Sequence, residues 1–184
     1  SYGETFPAWL EQSGGNGLPN FIVDVAELDK LLYACYYAEN AESIDLAAYG
    51  QLSDAEQLSY LFMDKPSVSM LKSTWDLKTI IESPSLDLNE EALLYSKSDE
   101  KRYYAIFREE GIPKWSEIPF TMHNLLSLLK VPKSLWDLER NEMPSHNRMM
   151  NTPIDIEKDM PLLLQKGWLT HGEQFASNKK VGAL

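Results

Sequence analysis

Cysteine is nearly absent from this chain. Cys35 stands alone, so no internal disulfide can form, and the composition fits a reducing cytoplasm. Long apolar runs are missing too. The longest, residues 31–38, falls far short of the about twenty residues a membrane span requires. Bases are scarce: 17 stand against 28 acids, for a formal net charge of −11. A free-standing nucleic-acid binder presents a basic face to phosphates, and an anionic membrane surface attracts the same charge, so both partners start at a disadvantage. No Gly-x-Ser-x-Gly, P-loop or Gly-x-Gly-x-x-Gly sequence occurs. The run Gly14-Gly15-Asn16-Gly17 follows no strand signal and reads as a linker. The histidines His123, His146 and His171 lie far apart, and none has a partner at ligand spacing. A metal site made by this chain alone is therefore disfavoured, and exposed or capping histidines are the simpler reading. No signal-peptide pattern is visible. The chain opens at Ser1 rather than Met, which leaves room for a preceding piece.

What is present is the composition of a folded protein: 43% hydrophobic, 11% aromatic and 24% charged over 184 residues. Residues 1–50 hold eight acids and one base, Lys30, while the remainder holds 20 acids and 16 bases. This asymmetry predicts a helical lobe over residues 1–58 with an acidic outer face, followed by a sheet-plus-helices lobe over 59–184, the alternative being one continuous core.

Periodicity supports the first lobe. Phe21, Val25, Leu28, Leu32 and Cys35 recur at helical spacing, predicting a helix over 19–38. Cys35 on that stripe reads as a buried structural thiol. Pro7 suits the first turn of a short opening helix that Thr5 or a neighbour caps. Ser53 with Glu56 fits a capping box. Short apolar segments at 60–63 and 68–73 read as two strands or as a strand and a turn, and a short helix is expected from Thr74. Residues 92–96 and 102–108 flank a polar stretch at 97–101 and read as a hairpin. Tyr103, Ala105 and Phe107 would face one way and Tyr104, Ile106 and Arg108 the other. Residues 112–118 offer a third strand, with Pro113 at its start or on an edge. Helices are expected from caps at Thr121 and Ser134, and from Thr152-Pro153 toward Gly167. The fold class is thus α+β: a helical N-terminal lobe, a small antiparallel β-sheet of about three strands, and covering C-terminal helices.

An open sheet edge can accept an extended peptide as an added strand. The bases Lys97, Lys101, Arg102, Arg108 and Lys114 gather around these strands and would draw a peptide bearing acids. The competing reading, equally open on residues alone, is that they merely guard an edge against aggregation. A winged-helix regulator is the alternative from another class, but the helix near 121–130 offers only Lys130 toward DNA.

The order of several motifs carries a resemblance. Tyr2-Gly3-Glu4-x-Phe6-Pro7-Ala8-Trp9-Leu10 precedes Leu18-Pro19-Asn20-Phe21-x-x-Asp24-x-Ala26-x-Leu28. Leu46 and Leu52 follow, then Pro66-Ser67-Val68-x-Met70-Leu71-x-Ser73-x-Trp75-x-x-x-x-Ile80. This order resembles the HvfC-type family, long labelled as DNA-binding, whose members look like partner subunits of iron-dependent TIM-barrel enzymes acting on ribosomal peptides. The resemblance covers the N-terminal two-thirds; the last third matches in outline only. Longer members carry a helical region ahead of the first motif, and the shortness of this chain looks more like the methanobactin branch of the family.

The resemblance implies a subunit that is not an enzyme by itself and holds no cofactor. Iron and dioxygen would belong to an MbnB-like partner in a heterodimer. The substrate would be an MbnA-like precursor peptide whose cysteines become oxazolone and thioamide groups, giving a copper chelator; a different precursor is the alternative. Leader contact is then expected at Leu93, Leu94 and Tyr95 on one hairpin arm and at Tyr103, Ala105 and Ile106 on the other, with Lys101 and Arg108 drawing acidic groups. The heterodimer contact is expected at Phe6, Trp9, Phe21 and Asp24, with His146, Asn147 and Arg148 near the partner's active site. Core packing competes for each aromatic in these sets.

Overall fold

A computed structural model describes residues 2–12, 21–82, 97–142 and 154–172. In chain order its helices are α1 (Tyr2–Gln12), α2 (Phe21–Tyr37), α3 (Leu46–Tyr49), α4 (Asp54–Ser59), α5 (Leu77–Glu82), α6 (Phe120–Leu128), α7 (Leu135–Glu142) and α8 (Ile156–Gln165). Its strands are β1 (Phe62–Asp64), β2 (Ser69–Trp75), β3 (Lys97–Glu109), β4 (Ile112–Ile118) and β5 (Leu169–His171). The architecture is α+β, with helices first, a small antiparallel sheet in the middle and helices again toward the end.

Two compact units interleave along the chain. One joins Ser1–Ala38 to Ser69–Ile118, and the other joins Glu39–Val68 to Pro119–Leu184. They differ from a single cut near residue 58, because α2 packs on the sheet built from residues far beyond it. Among the described residues no helix is long and apolar enough to cross a membrane.

The first unit is built on a three-stranded sheet in the order β2-β3-β4. Both pairings are antiparallel: Leu71 faces Tyr104, and Tyr104 in turn faces Glu117. The helical stripe of α2 lies on one face of this sheet. Phe21, Leu28 and Cys35 are buried with Leu71, Trp75, Leu77, Ile80, Tyr104 and Ile106. Val25 and Leu32 pack at the margin of the same cluster. Each such buried large side chain contributes about 1.5–3 kcal/mol. Cys35 is an interior thiol, and burial pushes its pKa up, with Arg108 opposing.

The hairpin differs from the sequence expectation. Residues 97–101 form the start of β3 rather than a turn, because β2 extends far enough to pair Trp75 with Lys97 beyond a register shift. The turn that closes the hairpin is Glu110-Gly111, both at positive φ, 51° and 80°. Two positive φ values fit the twist of adjacent strands, and glycine adopts the second without steric penalty. The expected arm at 92–96 lies outside the described residues. Helix α5 begins at Leu77, not Thr74: Trp75 ends β2, and the Asp76 carboxylate accepts from the Thr79 N–H at 3.0 Å.

The second unit pairs β1 with β5, Met63 opposite Thr170. The segments at 60–63 and 68–73 are thus not partners; each pairs with distant chain. Phe62, Leu125, Leu126, Leu129, Leu138, Leu163 and Leu169 are buried in this unit. Asp64 is buried as well and accepts from Lys130, whose ammonium also donates to the Val68 carbonyl at 3.1 Å. Helix α6 starts at Phe120 after Pro119, and α8 starts at Ile156 with Asp155 accepting from the Lys158 N–H at 3.0 Å. Gly167, at φ 63°, follows the end of α8 as expected.

Candidate functional site

Strand order decides what the sheet can offer. β3 is central, paired with β2 on one side and β4 on the other. Tyr103, Ala105 and Ile106 therefore carry no open border: Ala105 faces Met70 across one ladder and Ser116 across the other. Ala105 and Ile106 are fully buried, and Tyr103 is half-buried. Leu93, Leu94 and Tyr95 lie outside the described residues, as do His146, Asn147 and Arg148.

The border on the other side of the hairpin is β4. A two-residue turn makes Glu109 and Ile112 a hydrogen-bonded pair, and the pattern alternates from there. Ile112, Lys114, Ser116 and Ile118 thus direct their backbone groups at β3. Pro113, Trp115 and Glu117 direct theirs outward. Proline has no N–H, so the outward row holds two donors, from Trp115 and Glu117, and three carbonyls. No described residue bonds to that row. Pro113 on an edge strand is where the sequence placed it. The Trp115 side chain is half-buried and anchors this border to the core, its ring 5.6 Å from that of Tyr104 in an edge-on contact.

Three of the five bases around the sheet have partners among the described residues. Arg102 donates to Glu117 at 3.0 Å and lies 3.5 Å from Asp76. Lys114 pairs with Glu109, which raises its pKa. Arg108 reaches the end of α2 and donates to the carbonyls of Cys35, Tyr36 and Ala38 at 3.2, 2.8 and 3.0 Å. Through Nη1 that guanidinium closes the helix C-terminus, where carbonyls lack intrahelical donors. Lys101 is exposed and remains open to solvent.

The N-terminal set divides in two. Phe6 and Trp9 are exposed on α1, their rings stacked at 6.1 Å. Phe21 is inside the core, edge-on to Trp75 at 5.8 Å. Asp24 is half-buried and accepts from the Ser73 hydroxyl, tying α2 to β2. The latter two position the surface from within.

Burial raises the Asp24 pKa, and the Ser73 hydrogen bond opposes that only in part. The folded state thus binds this proton more tightly than the unfolded state. The contribution is complete below the ordinary carboxylate value of 3.8 and is lost as pH rises through the raised value. Asp24→Asn keeps an acceptor for Ser73 and has no charge to desolvate. Urea unfolding between about pH 4 and about pH 7 should therefore show the wild type losing stability relative to the variant as pH rises. Parallel curves would show that the carboxylate is solvated in the folded state.

Trp115 and Glu117 are edge residues outside the expected site. Their signal was the Glu110-Gly111 pair between two alternating segments, a two-residue hairpin turn with Pro113 just beyond it. No family model matches the chain, and no curated protein matches it.

Proposed function

We propose that this chain is a non-catalytic partner subunit, with a role like that of MbnC, working in the cytoplasm beside an MbnB-like TIM-barrel enzyme. It binds the leader of an MbnA-like ribosomal precursor peptide by strand addition and presents the peptide cysteines to the partner. The iron and dioxygen chemistry that makes oxazolone and thioamide groups belongs to that partner, and the product is the copper chelator methanobactin. The observation that carries this reading is the outward row on β4, two donors and three carbonyls with no described residue across from them. The ordered N-terminal motifs support it, and the exposed Phe6–Trp9 pair suits a heterodimer contact.

The test compares two substitutions at one position. Glu117→Ala removes the contact to Arg102, and Glu117→Pro removes that contact together with one outward N–H. Proline is tolerated at an edge position whose N–H faces away from the ladder. Titration with the leader peptide should give about tenfold weaker binding for the proline variant than for the alanine variant. Equal affinities would place the leader elsewhere.

A further inference from the structure

The last turns of α2 carry a ridge of three tyrosines. Spacing of three and four residues puts Tyr33, Tyr36 and Tyr37 on one side of the helix, away from Phe21, Leu28 and Cys35. These tyrosines are 64%, 55% and 67% exposed. The rings of Tyr33 and Tyr37 have centroids 4.7 Å apart, and those of Tyr36 and Tyr37 are 4.9 Å apart. A single exposed tyrosine requires no account, but a contiguous exposed ridge marks an interaction surface.

The charges around the ridge narrow what would cover it. Asp29 lies one turn before Tyr33 on the same side and is exposed, with no cation against it among the described residues. Its neighbour Lys30, the one base in residues 1–50, is held by Glu27 at 2.7 Å. Arg108 reaches this end of the helix, yet its guanidinium goes to backbone carbonyls. The surface thus combines ring faces with an unneutralised carboxylate. Ring faces and carboxylates both attract cations. Arginine suits the pair better than lysine, because its planar group stacks on a ring while its N–H fork reaches a carboxylate.

We propose that the ridge is a docking surface for an extended, arginine-bearing segment of another polypeptide, with guanidinium groups stacked on Tyr33, Tyr36 and Tyr37 and paired with Asp29. It does not depend on the β4 edge, so either can fail alone.

The probe is a short synthetic peptide alternating arginine with glycine, set against glutamate and leucine counterparts. Each is titrated into the full chain at low salt by calorimetry. The arginine peptide should bind best. Joint replacement of the three tyrosines by alanine should weaken it about tenfold, and joint replacement by phenylalanine should hold it within about twofold. Asp29→Asn should weaken it about threefold. The positions are exposed and alanine favours helix, so circular dichroism should stay unchanged. Equal binding to the alanine variant would reduce the effect to diffuse attraction by an acidic chain and overturn the proposal. So would preference for the leucine peptide, phenylalanine variants as weak as alanine ones, or sedimentation showing the ridge covered by a second copy.

Discussion

Ala105→Pro should unfold the first unit rather than weaken a peptide contact. Ala105 sits fully buried in the central strand, facing Met70 on one side and Ser116 on the other. The pairing alternation directs its N–H at Ser116, and proline deletes that donor. The ring must also fit where no solvent-facing side exists. Central strands exclude proline for these reasons, and the loss is on the order of 3 kcal/mol or more. Small domains hold only about 5–15 kcal/mol in total. Urea unfolding followed by tryptophan fluorescence should show a collapsed or absent cooperative transition, and no concentration of leader peptide should restore native affinity. A variant with wild-type stability would mean that β3 is not the middle strand. The contrast with Glu117→Pro is the sharper result. A proline is ruinous one strand inward and tolerable at the border, because at Ala105 the N–H is paired and the site buried, while at Glu117 the N–H points outward and the site is exposed.

The helices with a strong local pattern were legible from sequence. α2 needed only its stripe of Phe21, Leu28 and Cys35, and α4 its capping box, in which the Ser53 N–H donates to Glu56 at 2.9 Å. The alternation of β3 was equally plain, since Tyr104 and Ile106 join the core under α2. Residues 97–101 misled because they have a turn's composition; only the reach of β2 toward Lys97 identifies the strand. β5 was missed because a three-residue strand is defined by its partner, and Phe62–Asp64 lies about a hundred residues earlier. The candidate site suffered from the same blindness to distance. Arg108 resembled bait for an acidic peptide, yet it closes a helix end more than seventy residues away in most of its contacts. Which strand forms the border is likewise a property of strand order, and strand order is not local.

Tyr104→Phe tests the joint that holds β2, α5 and β3 together. The Tyr104 hydroxyl donates to the Trp75 carbonyl at 3.0 Å and accepts from the Leu77 N–H at 3.1 Å. It thereby satisfies two backbone groups at the sharp passage from β2 into α5, in a position with no exposure to water. Burial raises its pKa further above the ordinary tyrosine value, so the phenol keeps its proton at neutral pH and can donate. Phenylalanine fills the same ring volume, removes one hydrogen bond from the Trp75 carbonyl and takes away the acceptor of the Leu77 N–H. The orphaned Leu77 N–H costs about 1–3 kcal/mol and the lost bond to the Trp75 carbonyl about 0.5–1.5 kcal/mol, so the variant should be about 1.5–4.5 kcal/mol less stable, with an unchanged denaturant slope. Amide exchange at Leu77 should accelerate in step. The ring that supports Trp115 remains, 5.6 Å away, so the border of β4 keeps its shape. Leader affinity measured well below the unfolding midpoint should then match the wild type, separating the stability of the sheet from recognition at its edge. A stability loss under about 0.5 kcal/mol would show that water replaces the hydroxyl at this joint.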